Sequence, residues 1–80
     1  MKDLTLLIPT KNETESLPKF LQELEKYDCK KLLVVDNKDK NIYNIDNFTN
    51  VDILVQSNSG YGNALIEGIN NIKTKFFCII

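Results

Sequence analysis

Short apolar runs, separated by polar and amphipathic stretches, are the feature of this sequence that most limits its fold. Four mostly apolar runs occur, at residues 4–8, 32–35, 51–55 and 76–80. Each is four or five residues long, which is the length of a typical buried strand, and Pro9 closes the first. Apolar residues on consecutive positions are typical of parallel strands that are covered on both faces.

Two of the intervening stretches have the spacing of amphipathic helices. The first is predicted to begin near Leu17 and to end near Asp28, and Pro18 is tolerated because it falls in the first turn. The second follows a turn-rich connection at residues 56–62, and its apolar positions are Ala64, Leu65, Ile69 and Ile72. Residues 37–50 are rich in asparagine and predict a loop with one short helical turn.

Strands that alternate with helices predict βαβ units with right-handed crossovers. We therefore expect a three-layer α/β fold, with a parallel sheet of about four strands in the order 3-2-1-4 and helices on both faces. In this order the chain reverses its direction across the sheet between the first and fourth strands. Ligands of such folds bind at that point, beyond the carboxyl ends of the strands.

Length and composition exclude several classes of protein. Eighty residues, 42% apolar and 26% charged, suit one small globular domain. The net charge of −1 and the scattered lysines argue against a nucleic-acid partner. No secretory pattern occurs, and the longest apolar run is far short of the ~20 residues of a membrane span, so we expect a cytoplasmic protein. Cys29 and Cys78 lack metal-ligand spacing, and without histidine they are expected to be free thiols.

Polar clusters follow the first two strands, at residues 9–13 and 36–41. In a parallel sheet these clusters emerge side by side at one edge. A carboxylate there, Glu13 or Asp36, can accept hydrogen bonds from a ribose or from the N–H groups of a base. Each acid can equally be a solvated loop residue or a capping group, and the residues alone leave both roles open.

A third cluster, at residues 56–63, places Gly60 and Gly62 at the start of the second helix. Bare backbone at a helix amino terminus can approach a phosphate, and the helix dipole favours its charge. This pattern lacks the third glycine of the Rossmann fingerprint, and no P-loop motif occurs. The alternative, that the glycines only allow a tight turn to pack against the sheet, has equal weight.

Together these segments resemble family 2 glycosyltransferases of the GT-A fold, and most closely the polyprenyl-phosphate hexosyltransferase type. The resemblance covers nearly the whole chain and depends on three motifs in order. They are Leu6-Leu7-Ile8-Pro9-Thr10-Lys11-Asn12-Glu13, Val34-Val35-Asp36, and Asn58-Ser59-Gly60-Tyr61-Gly62-Asn63-Ala64 with Gly68.

The resemblance implies a transferase that takes a sugar from a nucleotide-diphosphate donor, with Mg²⁺ or Mn²⁺ at an acidic DxD motif. Its acceptor is left open between a polyprenyl phosphate and a saccharide. By resemblance the nucleotide-binding residues are Pro9, Thr10, Lys11, Glu13, Asp36, Gly60 and Gly62. The chain departs from the family pattern after Asp36, where it reads Asn37-Lys38-Asp39.

The same resemblance implies that residues 1–80 are one truncated domain, the N-terminal half of the GT-A fold, which ends before the metal motif. We therefore expect no catalytic residue, no bound metal and no turnover in these 80 residues, and membrane attachment of the longer enzyme is left open. The run at 76–80 is expected to form an apolar sheet edge that self-associates. Alternatives are a non-enzymatic flavodoxin-like binding or assembly module and, less well supported, a nucleotidyltransferase.

Overall fold

A computed structural model describes residues 3–10, 17–39 and 48–80 of the chain. Strands and helices alternate along it, as the spacing of the apolar runs predicts. A short 3₁₀ turn follows the second strand. The elements are β1 (Leu4–Pro9), α1 (Leu17–Leu24), β2 (Lys30–Val35), the 3₁₀ turn (Asn37–Asp39), β3 (Val51–Val55), α2 (Tyr61–Asn70) and β4 (Phe76–Ile79).

The four strands form one parallel sheet in the order β3-β2-β1-β4, which confirms the predicted order. β1 is central, and its Leu7 lies between Leu32 of β2 and Ile79 of β4. All carboxyl ends therefore meet at one edge of the sheet. We call this the carboxyl edge, and the opposite one the amino edge.

Each face of the sheet packs against one helix, so the predicted three layers are confirmed. On one face, Leu6 and Ile8 of β1 join a buried cluster with Leu21 and Leu24 of α1. On the other, Leu7 joins a second cluster around Ala64 of α2. Neighbouring residues of a strand point to opposite faces, so consecutive apolar residues supply both cores.

The two βαβ units run in opposite directions across the sheet. β1-α1-β2 steps toward the β3 edge, whereas β3-α2-β4 crosses to the other edge, and the two helices cover opposite faces. A βαβ unit keeps its handedness when both the direction of its crossover and the face covered by its helix are reversed. The two units thus share one hand, as expected where a single crossover rule governs both.

Element ends differ from the sequence prediction between α1 and β2. α1 ends at Leu24 rather than near Asp28, because the Tyr27 N–H turns back to the Leu24 carbonyl (3.0 Å). β2 begins at Lys30, two residues before its apolar run, because the Lys31 N–H bonds to the Asn50 carbonyl at 2.8 Å. Local hydrogen bonds, not hydropathy, set both boundaries.

Lys31 and the two cysteines differ in how they are buried. Lys31 is 2% exposed, and its Nζ donates to the Tyr27 carbonyl at 2.8 Å, which compensates in part for burial of its charge. Cys29 is buried and Cys78 is exposed, and both are free thiols. Among the described residues, no helix is long and apolar enough to cross a membrane.

Candidate functional site

The residues that follow β1, β2 and β3 lie next to one another at the carboxyl edge. They are Thr10, Asp36 and Gln56. The Thr10 N–H bonds to the Val34 carbonyl at 2.9 Å, and the Gln56 N–H bonds to the Val35 carbonyl at 2.8 Å. The predicted convergence of the first two polar clusters at this edge therefore holds for Thr10 and Asp36, and Gln56, the first residue of the third cluster, lies beside Asp36.

Thr10 has a structural role. Its Oγ1 donates to the same Val34 carbonyl at 3.1 Å, and the side chain is buried. The hydroxyl proton therefore points into the sheet rather than toward a ligand. Pro9, the last residue of β1, is half-buried. Lys11 and Glu13, the other two predicted residues of this loop, lie outside the described residues.

Asp36 is half-buried, and one of its oxygens organises the chain just after β2. Its Oδ1 accepts a hydrogen bond from the Lys38 N–H at 3.0 Å, which forms an Asx-type turn at the 3₁₀ segment. This is the local role that the sequence left open beside nucleotide binding.

Two side chains that the sequence did not single out fix the turn between β3 and α2. The buried Gln56 donates from Nε2 to the carbonyls of Asn58 (2.9 Å) and Gly60 (3.1 Å). Glu67, on α2, accepts from the N–H groups of Ser57 (2.7 Å) and Asn58 (3.1 Å) through its two carboxylate oxygens. Both residues act on backbone groups and thereby shape the turn before the helix.

The backbone N–H of Ser57, and next that of Asn58, lower the pKa of Glu67 because they stabilise its ionised form. A bound anion would compete with this carboxylate for the two N–H groups. The part of the turn that remains for a ligand is therefore residues 59–62, directly at the amino terminus of α2.

Two of the three glycines of the third motif are required by the fold, each for a different reason. Gly60 has a φ of 110°, which side chains rarely adopt, so the turn needs glycine there. A Cβ on Gly68 would lie 2.5 Å from Leu7 Cδ1, so α2 needs glycine to approach β1. A Cβ on Gly62 would meet no atom of residues 3–10, 17–39 or 48–80 within 4 Å. The turn-and-packing interpretation thus accounts for Gly60 and Gly68 but not for Gly62.

The amino terminus of α2 lies open at the carboxyl edge. Gly60 is the N-cap residue, no side chain in the described part of the chain caps the helix, and its first turn contains no acidic residue. Asn63 instead donates to the Ser59 carbonyl at 2.8 Å. An uncapped amino terminus retains N–H donors and a positive dipole end, which together suit an anion.

No group of three or more acidic, cysteine or histidine residues that could hold a metal ion occurs in the described ranges 3–10, 17–39 and 48–80. The Asp36 carboxylate does not make a Mg²⁺ or Mn²⁺ site by itself. We therefore assign no chemical step to a metal.

Comparisons with known proteins return no relative. No protein-family model matches this chain. No curated protein matches it either, and neither does any solved structure.

A hollow of about 320 Å³ lies at the amino edge, where Lys30, Asp52 and Lys73 are among its lining residues. None of its lining residues belongs to the three polar clusters. Its lining carries both signs of charge and is open to solvent, so it selects no ligand class. We place the candidate site at the carboxyl edge, because the strand order, the open amino terminus of α2 and the unexplained Gly62 coincide there.

Proposed function

We propose that the carboxyl edge is the donor-nucleotide subsite of a glycosyltransferase that uses a nucleotide-diphosphate sugar. The three ordered motifs that resemble family 2 glycosyltransferases motivate this proposal. In this proposal the 80 residues form the donor-binding, N-terminal half of a GT-A domain.

Gly62 is the observation that carries the proposal. Glycine in the first turn of a helix costs stability relative to alanine, and neither its backbone conformation nor packing against the described residues offsets that cost. A ligand that contacts the backbone of Gly62 would explain why glycine is present in spite of this cost. The open amino terminus of α2 makes an anionic group, such as a diphosphate, the best match.

The other residues take roles around that point. Pro9, Lys11 and Glu13 line the nucleoside pocket, and the Asp36 carboxylate accepts hydrogen bonds from the base. Thr10 holds the end of β1 against β2, so that this loop and the Asp36 loop stay adjacent. Gly60 shapes the turn, and the backbone at Gly62 contacts the diphosphate. These residues bind and orient the donor, and none of them is assigned a catalytic step.

The test is a titration of the chain with UDP, GDP and CMP in the presence of Mg²⁺, followed by amide chemical shifts. At least one nucleotide is expected to shift the amides of Asp36 and of residues 60–62. Two variants each place a leucine on α2, Gly62→Leu in the proposed site and Asn70→Leu at the exposed far end.

We expect Gly62→Leu to weaken binding at least about tenfold, a loss of about 1.4 kcal/mol, and Asn70→Leu to leave it unchanged. If no nucleotide shifts any amide at the carboxyl edge, the proposal is wrong. The non-enzymatic α/β module would then be the better description of the chain. If both variants bind as well as the unmodified chain, Gly62 does not contact the ligand.

A further inference from the structure

The two outermost strands of the sheet, β3 and β4, differ in how well they are protected against pairing with a further strand. The β3 edge carries Asp52, an exposed charge that opposes the addition of another strand. β4 contains no charged residue and no proline. All its large apolar side chains are exposed: Phe76 59%, Phe77 43%, Ile79 43% and the adjoining Ile80 47%.

The backbone of β4 shows which groups face outward. The N–H groups of Phe76 and Ile80 bond to the carbonyls of Asp3 (2.8 Å) and Leu7 (3.0 Å), toward β1. Alternate residues of a strand direct their N–H and C=O groups to the same side. The groups of Phe77 and Ile79 therefore point away from β1, and within the described residues no strand pairs with them.

We propose that β4 pairs antiparallel with β4 of a second copy of this chain, around a twofold axis at Cys78, to give an eight-stranded sheet. The inference depends on the sheet edge alone and not on the proposed nucleotide site. We choose a second copy as the partner because β4 is complementary to itself. The register of the antiparallel pair shows this.

Only residues whose backbone groups face outward can exchange hydrogen bonds. Phe77 of one copy therefore pairs with Ile79 of the other, and the twofold axis repeats this pair on its other side. Phe76 then lies opposite Ile80 on the α1 face, while Phe77 and Ile79 meet on the α2 face. All four contacts join an aromatic to a β-branched side chain, a favourable cross-strand combination. A shift of the register by two residues places Lys75 opposite Ile79 in one direction, and in the other direction it places the two Ile79 residues opposite each other.

Charge favours the antiparallel arrangement over a parallel one. In a parallel in-register pair the two Lys75 ammonium groups would lie side by side. In the antiparallel pair they are six residues apart along the strand, about 20 Å, which is more than twice the screening length of about 8 Å at physiological salt.

The available area indicates a weak dimer. A phenylalanine side chain covers roughly 150–250 Å², and about half of Phe76 and of Phe77 is exposed. With a similar contribution from the isoleucines, pairing buries on the order of 700 Å² in total, below the roughly 1,200 Å² of stable specific interfaces. We therefore expect monomers at micromolar concentration and dimers at millimolar concentration.

A disulfide between Cys78 of the two copies tests this register directly. Because its own backbone groups face β1, Cys78 forms a non-hydrogen-bonded pair with Cys78 of the second copy, with Cα atoms about 4.5 Å apart. This separation permits a disulfide. Oxidised glutathione is the oxidant: the two thiols lose two electrons and two protons, and two molecules of reduced glutathione leave.

The first experiment measures the rate of disulfide dimer formation at millimolar protein with oxidised glutathione. The test chain is Cys29→Ser, in which Cys78 is the only thiol. The control places one exposed thiol elsewhere, in the triple variant Cys29→Ser, Cys78→Ser and Asn70→Cys. We expect Cys78 to cross-link at least about tenfold faster, since paired thiols react as neighbours. Equal rates would overturn the proposed register.

The second experiment measures the dimer dissociation constant by sedimentation with reductant present. Ile79→Pro removes an outward N–H without touching the bonds to β1, and Ile79→Val keeps that N–H and most of the apolar surface. Ile79→Pro is expected to raise the dissociation constant at least about tenfold over Ile79→Val. Equal constants for the two variants, or a monomer at millimolar concentration in the unmodified chain, would refute the pairing.

Discussion

Gly68 sets how closely α2 approaches the sheet. A methyl group there would overlap Leu7 Cδ1 and crowd Val34 Cγ2, at 2.5 and 3.1 Å. We therefore expect Gly68→Ala to lower the free energy of unfolding by about 1–3 kcal/mol.

Gly62→Ala is the matched comparison, because it makes the same change in the same helix, where the added methyl group meets open space. It is expected to raise the free energy of unfolding by up to about 1 kcal/mol. Urea unfolding of both variants checks this pair. A stability loss in Gly62→Ala as large as that in Gly68→Ala would show that the fold itself requires glycine at 62.

Glu67 gives the turn before α2 a dependence on pH. Its pKa is lowered in the folded chain, so the stabilisation is complete above the ordinary glutamate pKa of about 4.3 and is lost as the pH falls through the lower folded value. Glu67→Gln keeps the shape but loses the charge and one carboxylate oxygen.

We expect Glu67→Gln to speed hydrogen exchange at the Ser57 and Asn58 amides near neutral pH. The stability difference from the unmodified chain should shrink as the pH falls below about 4.3. A difference that is the same at pH 3 and pH 7 would mean that the carboxylate charge does not hold the turn.

At the scale of elements, Thr10 fastens the end of β1 to β2. Thr10→Val keeps the side-chain shape and the backbone bond to Val34, and it removes only the hydroxyl bond of 3.1 Å. The expected loss in the free energy of unfolding is about 0.5–1.5 kcal/mol, measured by urea unfolding. If Thr10 is structural, nucleotide-induced shifts at Asp36 persist in this variant, and their disappearance would assign the hydroxyl to the ligand.

The sequence predicts the elements well because each depends on a run of side chains. Consecutive apolar residues such as Val34 and Val35 supply both cores, so every strand could be located from its hydropathy alone. The ends depend instead on single hydrogen bonds across the fold. Lys31 joins β2 to the Asn50 carbonyl although a lysine does not indicate a buried strand, so hydropathy misses the start of β2.

At the scale of the whole molecule, strand order brings Thr10, Asp36 and Gln56 to one edge, as alternating strands and helices predict. The roles of individual residues could not be predicted in the same way. Gln56 and Glu67 bind backbone groups of a turn whose shape only the folded chain defines. A glutamate on the second turn of a helix, after a turn rich in N–H groups, is the pattern that could have indicated this contact.

Paramagnetic broadening is the sharpest test of whether a nucleotide diphosphate binds at the carboxyl edge. Mn²⁺ held by the diphosphate of UDP or GDP broadens the amide signals of nearby residues. We predict selective broadening at Asp36 and at residues 60–62, with the amides of Lys30 and Lys73 at the amino edge unaffected. Broadening at the amino edge, or the same broadening with Mn²⁺ alone, would contradict binding of the diphosphate at the carboxyl edge.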